Sequence, residues 1–281
     1  MNFFKDLPQT VTLALNEDIG TGDLTADLID PQTQAKAEVI AKEDAIVCGR
    51  PWFDEVFKTL DQQIQIQWHS HEGDAVKAGT RLCTLQGNAQ KILTGERTAL
   101  NFLQTLSGTA TTTHRYVEAL NATPQNQTQL LDTRKTLPCL RLAQKYAVHI
   151  GGGKNHRIGL YDAILIKENH IMAAGGIAKA VEKARQLHPD APIEVETETL
   201  SEVEMAVKAG ADIIMLDNFT TEQIQQAVEG ATGRAKLEVS GNVEIDRLAE
   251  LAETGVDFIS TGAITKHLHA IDLSMRFQLE A

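Results

Sequence analysis

From residue 128 onward the chain alternates short apolar runs with amphipathic helical segments, and this rhythm limits the fold more than any other feature. The runs are Leu130–Arg134, Ala163–Lys167, Ile193–Thr197, Ile213–Asp217, Leu237–Ser240 and Phe258–Thr261. Between them lie segments such as SEVEMAVKAG, TEQIQQAVEG and VEIDRLAELAETG, several ending in the glycine that commonly closes a helix. A strand that returns through a helix lies parallel to the one before it, with a right-handed crossover. Six such strands are two short of a full (β/α)8 barrel. The pattern leaves an incomplete barrel or an open doubly wound sheet.

The first ~120 residues are mixed. Their pattern predicts a helix over Val11–Glu17 stopping at Gly20, a strand over Ala37–Cys48 and a helix from Pro51. Ile64, Ile66 and Trp68 alternate with glutamines, the period of a strand. A long helical region runs from Ile92 to Leu120 with a break expected at Gly108. HEGDAVKAGTRLCTLQG reads as two short strands around glycine turns. It is similar to half of a biotinyl or lipoyl carrier domain, but the carrier's lysine hairpin is missing, so turn chemistry makes it a β-sandwich fragment.

With 281 residues, the chain can bury one large core or two modest ones. A net charge of -12 argues against non-specific nucleic-acid binding and against docking on an anionic membrane. Cys48, Cys83 and Cys139 are widely spaced, without a C-x-x-C, which fits a reducing compartment. The start MNFFKDLPQT lacks a signal peptide's basic and apolar regions. No apolar run reaches the ~18 residues of a membrane helix. The expectation is a soluble, cytoplasmic protein with neither nucleic-acid nor membrane partners.

In a parallel barrel, chemistry gathers where strands end. The first two runs end in Asp132-Thr133-Arg134-Lys135 and Lys167-Glu168-Asn169-His170. The next two carry Glu194 with Glu196, and Asp217-Asn218. The last two end in Ser240-Gly241-Asn242 and Ser260-Thr261-Gly262. Loops are polar anyway, but that alone does not sort them into cations, then carboxylates, then small residues. Between Arg134 and His170 seven Lys and Arg face two acids, a net +5 inside a chain of -12. Such an island is an anion site, and arginine's planar fork suits a carboxylate. Arg141 and Lys145 read instead as the solvated face of the helix PCLRLAQKYAV. In GGGKNHR, three glycines would let backbone N–H groups approach an anion, with His156 and Arg157 as further donors. Glu196 and Asp217 fit supports for Mg2+ or a glycosidase pair, and the surrounding cations favour phosphate with Mg2+. The residues thus suggest one carboxylate ligand, one phosphate ligand and a divalent metal.

LLDTRKTLPCLRLAQKYAVHIGGGKNHRIGLYDAILIKENHI resembles the signature of the quinolinate phosphoribosyltransferases, type II phosphoribosyltransferases. EDIGTGDLT, GERTALNFLQTLSGTAT, IEVETETLSE, IIMLDNF, LEVSGNV and GVDFISTGAIT are similar to its other blocks, in order, over roughly residues 10 to 275. The resemblance implies an α/β fold, an N-terminal open α/β sandwich packed with an incomplete seven-stranded α/β barrel. The implied domains are 1–115, with 266–281 returning to it, and 116–265. The implied reaction joins quinolinate to phosphoribosyl pyrophosphate, giving nicotinate mononucleotide, pyrophosphate and CO2 in de novo NAD synthesis. Motif by motif, quinolinate would be held by Thr133, Arg134, His156, Arg157 and Lys167, with Arg97 reaching in from a partner subunit. Lys135, Glu196 and Asp217 would face phosphoribosyl pyrophosphate, with Ser240, Gly241, Asn242, Thr261 and Gly262 around its phosphate. Lys135, Lys167, Glu196 and Asp217 are the implied catalytic set, and Glu196 and Asp217 would support Mg2+ directly or through water. A homodimer or a hexamer of dimers is implied. A nicotinate-specific phosphoribosyltransferase, a molybdenum-operon relative and a non-catalytic binder are the rival readings.

Overall fold

The computed structural model describes residues 2–241 and 243–279. In chain order, the first part holds α1 (Leu7–Ile19), β1 (Gln34–Ala41), β2 (Ala45–Ile46), α2 (Arg50–Leu60), β3 (Gln65–Trp68), β4 (Ala75–Val76), β5 (Arg81–Asn88) and α3 (Ala89–Asn121). Then come β6 (Gln129–Leu131), α4 (Arg141–Ile150), β7 (Ile164–Ile166), α5 (Glu168–Ala174), α6 (Ile177–Leu187), β8 (Ile193–Thr197), α7 (Leu200–Ala209), β9 (Ile213–Asp217), α8 (Thr221–Ala231) and β10 (Lys236–Ser240). The chain closes with α9 (Leu248–Glu253), β11 (Phe258–Ser260), α10 (Ala263–Lys266) and β12 (Leu273–Leu279). It divides into two compact units: residues 1–114, 137–152 and 267–281, and residues 115–136 with 153–266. Among the described residues no helix is long and apolar enough to cross a membrane.

The first unit is built on an antiparallel sheet of order β12-β1-β5-β3. β1 alternates, so Ala35, Ala37 and Val39 point inward. On α2, Trp52, Phe53, Val56 and Phe57 lie on one face and are buried. The carrier-like stretch serves the fold. Its Glu72 carboxylate accepts the Gly49 and Arg50 N–H groups at 3.0 and 2.7 Å, capping α2. The break expected at Gly108 is absent, and α3 runs through it. A Cβ at Gly108 would lie 2.1 Å from the His269 carbonyl oxygen, so glycine serves close packing there rather than a turn.

Leu137–Gly152 clusters with the first unit, whereas the sequence places it in the second domain. The reason is α4, whose Ala143, Tyr146 and Ala147 join the first unit's apolar core. Lys145, expected on a solvated face, is fully buried. The glycine run after α4 also differs from expectation. Gly151 and Gly152 donate their N–H groups to the Ala147 and His149 carbonyls, closing the helix. They are therefore not aimed at an anion.

In the second unit six parallel strands run in the order β6-β11-β10-β9-β8-β7. The strand expectations for β8 and β9 match residue for residue. Where a seventh strand would stand beside β6 there is one parallel bridge, Leu131 to Lys154, with the Lys154 N–H on the Leu130 carbonyl at 2.8 Å. Helix starts are set by local chemistry. Thr199 and Thr220 each cap a helix while the residue three positions on caps them in return. The register aligns Glu196 of β8 with Met215 of β9, and Asp217 of β9 with Ser240 of β10.

Candidate active site

Parallel register brings alternate residues of neighbouring strands to one side. A cleft of about 440 Å³ opens there in the second unit. Of the sequence-predicted residues it brings together Thr133, Arg134, Lys135, His156, Arg157, Lys167, Glu196, Asp217, Ser240 and Gly241. Leu165, Met215, Glu238 and Ser260 also line it and were not predicted. Their signal was parity: each lies two residues from a predicted residue or ends a strand that flanks one.

The cationic side is formed by Arg134, Arg157 and Lys167. Burial, and next the positive charge of Arg134, lower the pKa of Arg157. Two guanidinium groups held against their mutual repulsion are matched to an anion between them. Arg157 sits in a segment fixed on both sides. Asp132 is fully buried and accepts the His156 N–H at 2.9 Å and the Asn155 amide at 2.7 Å. Asp162 accepts the Ile158 and Gly159 N–H groups at 2.7 and 2.9 Å. Lys167 is placed at the end of β7, where its N–H donates to His170 Nδ1 at 3.0 Å.

The acidic side is formed by Glu196 and Asp217, on adjacent strands. The Lys167 ammonium donates to Glu196 Oε2, so the two sides of the cleft meet in one ion pair. Asp217 Oδ2 accepts the Asn218 amide at 3.1 Å. Two hard carboxylate oxygens on neighbouring strand ends, beside a cleft with room for phosphate oxygens and water, fit Mg2+.

The third side is small. Gly241 has φ +133°, and a Cβ there would come within 3.0 Å of Asn218 Oδ1. At Gly262 a Cβ would lie 2.8 Å from Lys135 Cδ, so glycine lets that side chain pass. Thr261 departs from expectation: it is buried, and its hydroxyl donates to the Val243 carbonyl and accepts the Ala263 N–H. It holds the loop and does not line the cleft. Asn242 lies outside the described residues. Arg97 is exposed on α3 in the first unit.

His156 and Glu238, which line the cleft, and the buried Glu194 place donor atoms within 4.8 Å of one another. His156 Nε2 is 2.8 Å from Glu194 Oε2 and 3.5 Å from Glu238 Oε2. Burial, reinforced by the Glu194 charge, raises the Glu238 carboxyl to about 8, against the pull of His156. The ring of His156 is also engaged at Nδ1, which accepts the Arg157 N–H at 2.7 Å. His156, expected from the sequence to hold a ligand carboxylate, lines the cleft.

The chain matches the quinolinate phosphoribosyl transferase C-terminal domain over residues 109–276 and the N-terminal domain over residues 23–107. It is 44% identical to a probable carboxylating nicotinate-nucleotide pyrophosphorylase of Synechocystis, over 93% of this chain and 89% of that one. A like-named Bacillus subtilis protein is 42% identical, over 92% and 89%. The solved nicotinate-nucleotide pyrophosphorylase of Francisella tularensis superposes with a TM-score of 0.93 at 52% identity, covering 97% of this chain and 96% of that one. The chain belongs to the quinolinate phosphoribosyltransferase family, with that family's fold.

Proposed function

We propose that this protein transfers the phosphoribosyl group of phosphoribosyl pyrophosphate to quinolinate and releases CO2. The products are nicotinate mononucleotide and pyrophosphate, in NAD synthesis. Family membership supports the reaction. The observation that carries it to this cleft is the ion pair between Lys167 and Glu196, the seam between a cationic side suited to a dicarboxylate and an acidic side suited to a metal pyrophosphate.

In this reading Arg134, Arg157 and Lys167, with Thr133, hold the quinolinate carboxylates, and Lys135 contacts phosphoribosyl pyrophosphate. Lys167 passes from Glu196 to the incoming carboxylate, which leaves Glu196 facing the second substrate. Ser240, Gly241 and Gly262 surround the 5′-phosphate. Glu196 and Asp217 would hold Mg2+, which would supply charge neutralisation on the pyrophosphate. The quinolinate nitrogen lone pair forms the bond to the anomeric carbon as the C–O bond to pyrophosphate breaks, its electrons leaving with pyrophosphate. The carbon–carboxylate bond then breaks. Its electron pair stays on the ring carbon beside the cationic nitrogen until a proton replaces CO2. Positioning two multiply charged anions lowers the barrier by up to ~7–11 kcal/mol in well-oriented systems. Cys48, Cys83 and Cys139 are all unpaired, which suits a reducing compartment such as the cytoplasm.

The test is direct. With Mg2+ and phosphoribosyl pyrophosphate, quinolinate should give nicotinate mononucleotide and equimolar CO2, while nicotinate gives none. Turnover of nicotinate alone overturns the substrate assignment. Binding of quinolinate without pyrophosphate release, in folded protein, favours a binder.

We further propose that Arg97 serves the cleft of a partner subunit in a homodimer, or in a hexamer of such dimers. Arg97→Ala and Arg134→Ala should each be inactive alone. Mixed and reassociated, they should regain about a quarter of wild-type activity, because half the dimers are mixed and one site in each is intact. No recovery on mixing, with exchange verified, places Arg97 elsewhere.

A further inference from the structure

We propose that the Glu238 carboxyl holds a proton in the wall of the cleft, and that a dicarboxylate binds tightly only while that proton is in place. The proposal rests on the reading of quinolinate as substrate. Glu238 lines the cleft from β10 and is 0% exposed, and Glu194 on β8 is 3% exposed. Oxygens of the two carboxyls lie within 4.8 Å of each other. Two carboxyls this close and this far from water do not both ionise, because each charge disfavours the other and burial disfavours both. Among the described residues neither Glu238 oxygen has a hydrogen-bond partner, and Glu194 Oε1 has none. A carboxylate only accepts, whereas a protonated carboxyl brings a donor to this cluster of bare oxygens.

The groups around Glu238 agree on the sign. Burial and next the Glu194 charge raise its carboxyl to about 8, against the pull of His156 and of the Ser260 hydroxyl on β11. On β9, Met215 carries no charge and stands in register between Glu238 and Glu196, whose partner is Lys167. With Glu238 neutral, the pair carries the single charge of Glu194, which His156 Nε2 meets at 2.8 Å. The Glu194 charge already reaches Arg157 on the cationic side. Loss of the Glu238 proton would set a second negative charge in the wall of a cleft that must take up a dianion, where water is too scarce to screen it. Binding of the dianion therefore favours protonated Glu238. By reciprocity, quinolinate draws in a proton wherever the free protein has lost it. Below the carboxyl's own value the proton is already present and affinity is level. Above it, affinity falls as pH rises, by up to about tenfold per unit for one proton.

Calorimetric titration of the whole protein with quinolinate, in buffers of different ionisation enthalpy, reads the proton itself. Uptake should be close to nothing at pH 7 and approach one proton per site at pH 9, while Kd rises about tenfold over the same interval. Glu238→Gln keeps the shape of the neutral acid and cannot ionise, so it should show neither the uptake nor the rise. A merely structural Glu238 would leave both in place. Equal wild-type affinity at pH 7 and pH 9 overturns the inference, and so does the same weakening in Glu238→Gln. Should that variant not fold, carbon-13 NMR of the glutamate carboxyls in the wild type decides. One carboxyl should titrate near pH 8 in the free protein and stay protonated at pH 9 with quinolinate bound. A spectrum without such a carboxyl overturns the inference. The two readings fail differently: binding of quinolinate at no pH removes the substrate assignment and this inference with it, whereas binding without pH dependence removes this inference alone.

Discussion

Arg157→Ala should abolish most quinolinate turnover while leaving the fold as stable as before, or more so. Truncating one partner of a buried, hydrogen-bonded charge contact costs about 2–5 kcal/mol, and each 1.36 kcal/mol is tenfold in rate. A fall in kcat/KM of roughly 30- to several thousand-fold follows. Stability should move the other way. Burial and Arg134 both work against the charged form of Arg157 in the free protein, so its removal relieves a strain. Arg157→Lys keeps a charge and loses the planar fork, and should fall between wild type and the alanine variant. Steady-state kinetics beside a thermal unfolding curve check this. Unchanged kcat/KM refutes the role, and a thermal midpoint lowered by many degrees shows that Arg157 is structural instead.

Glu238→Gln should flatten the dependence of stability on pH. Glu238 is fully buried, and its carboxyl is raised from 4.5 to about 8, by burial first and by the Glu194 charge next. The sign follows from proton counts. Between these two values the native state holds a proton that the unfolded chain has released. Stability therefore falls as pH rises through that window, by up to about 1.36 kcal/mol per unit. Below the window the contribution is fully present, and above it the loss is complete. Glutamine keeps the shape of the neutral acid and has no proton to lose. The variant should gain on wild type steadily from pH 5 to pH 8 in thermal midpoint or denaturant unfolding, then run parallel to it. Parallel curves throughout would show that Glu238 is not protonated in the native state.

The barrel strands were legible because each obeyed a short-range rule. β8 and β9 are apolar runs closed by a threonine cap and preceded by proline or glycine, so even their ends are local. Most of the cleft residues lie at strand ends, where parallel register aligns them without any knowledge of packing, whereas His156 and Arg157 came from the GGGKNHR loop. What stayed hidden depends on tertiary neighbours. Lys145 and Glu238 are charged residues in buried positions, and a pattern that equates charge with solvent misplaces them. Gly108 looked like a breaker because its purpose, room for the His269 carbonyl, lies 161 residues downstream. His156 Nε2 lies 2.8 Å from Glu194 Oε2, a partner 38 residues away that the NHR motif itself does not show.

The pairing of β12 with β1 has a consequence for how the chain is made. β1 takes β5 on one side and β12 on the other, along a register from Ala35–Leu279 to Ala41–Leu273. The second unit is complete at residue 266, whereas the first still awaits the residues that follow. On the ribosome, the part synthesised earliest is thus finished last, and β1 keeps one bare edge through most of translation. An unpaired strand edge invites pairing with another chain. Nascent-chain handling, and the tolerance of any tag or truncation near Leu273, should be governed by this late seal more than by the barrel that precedes it.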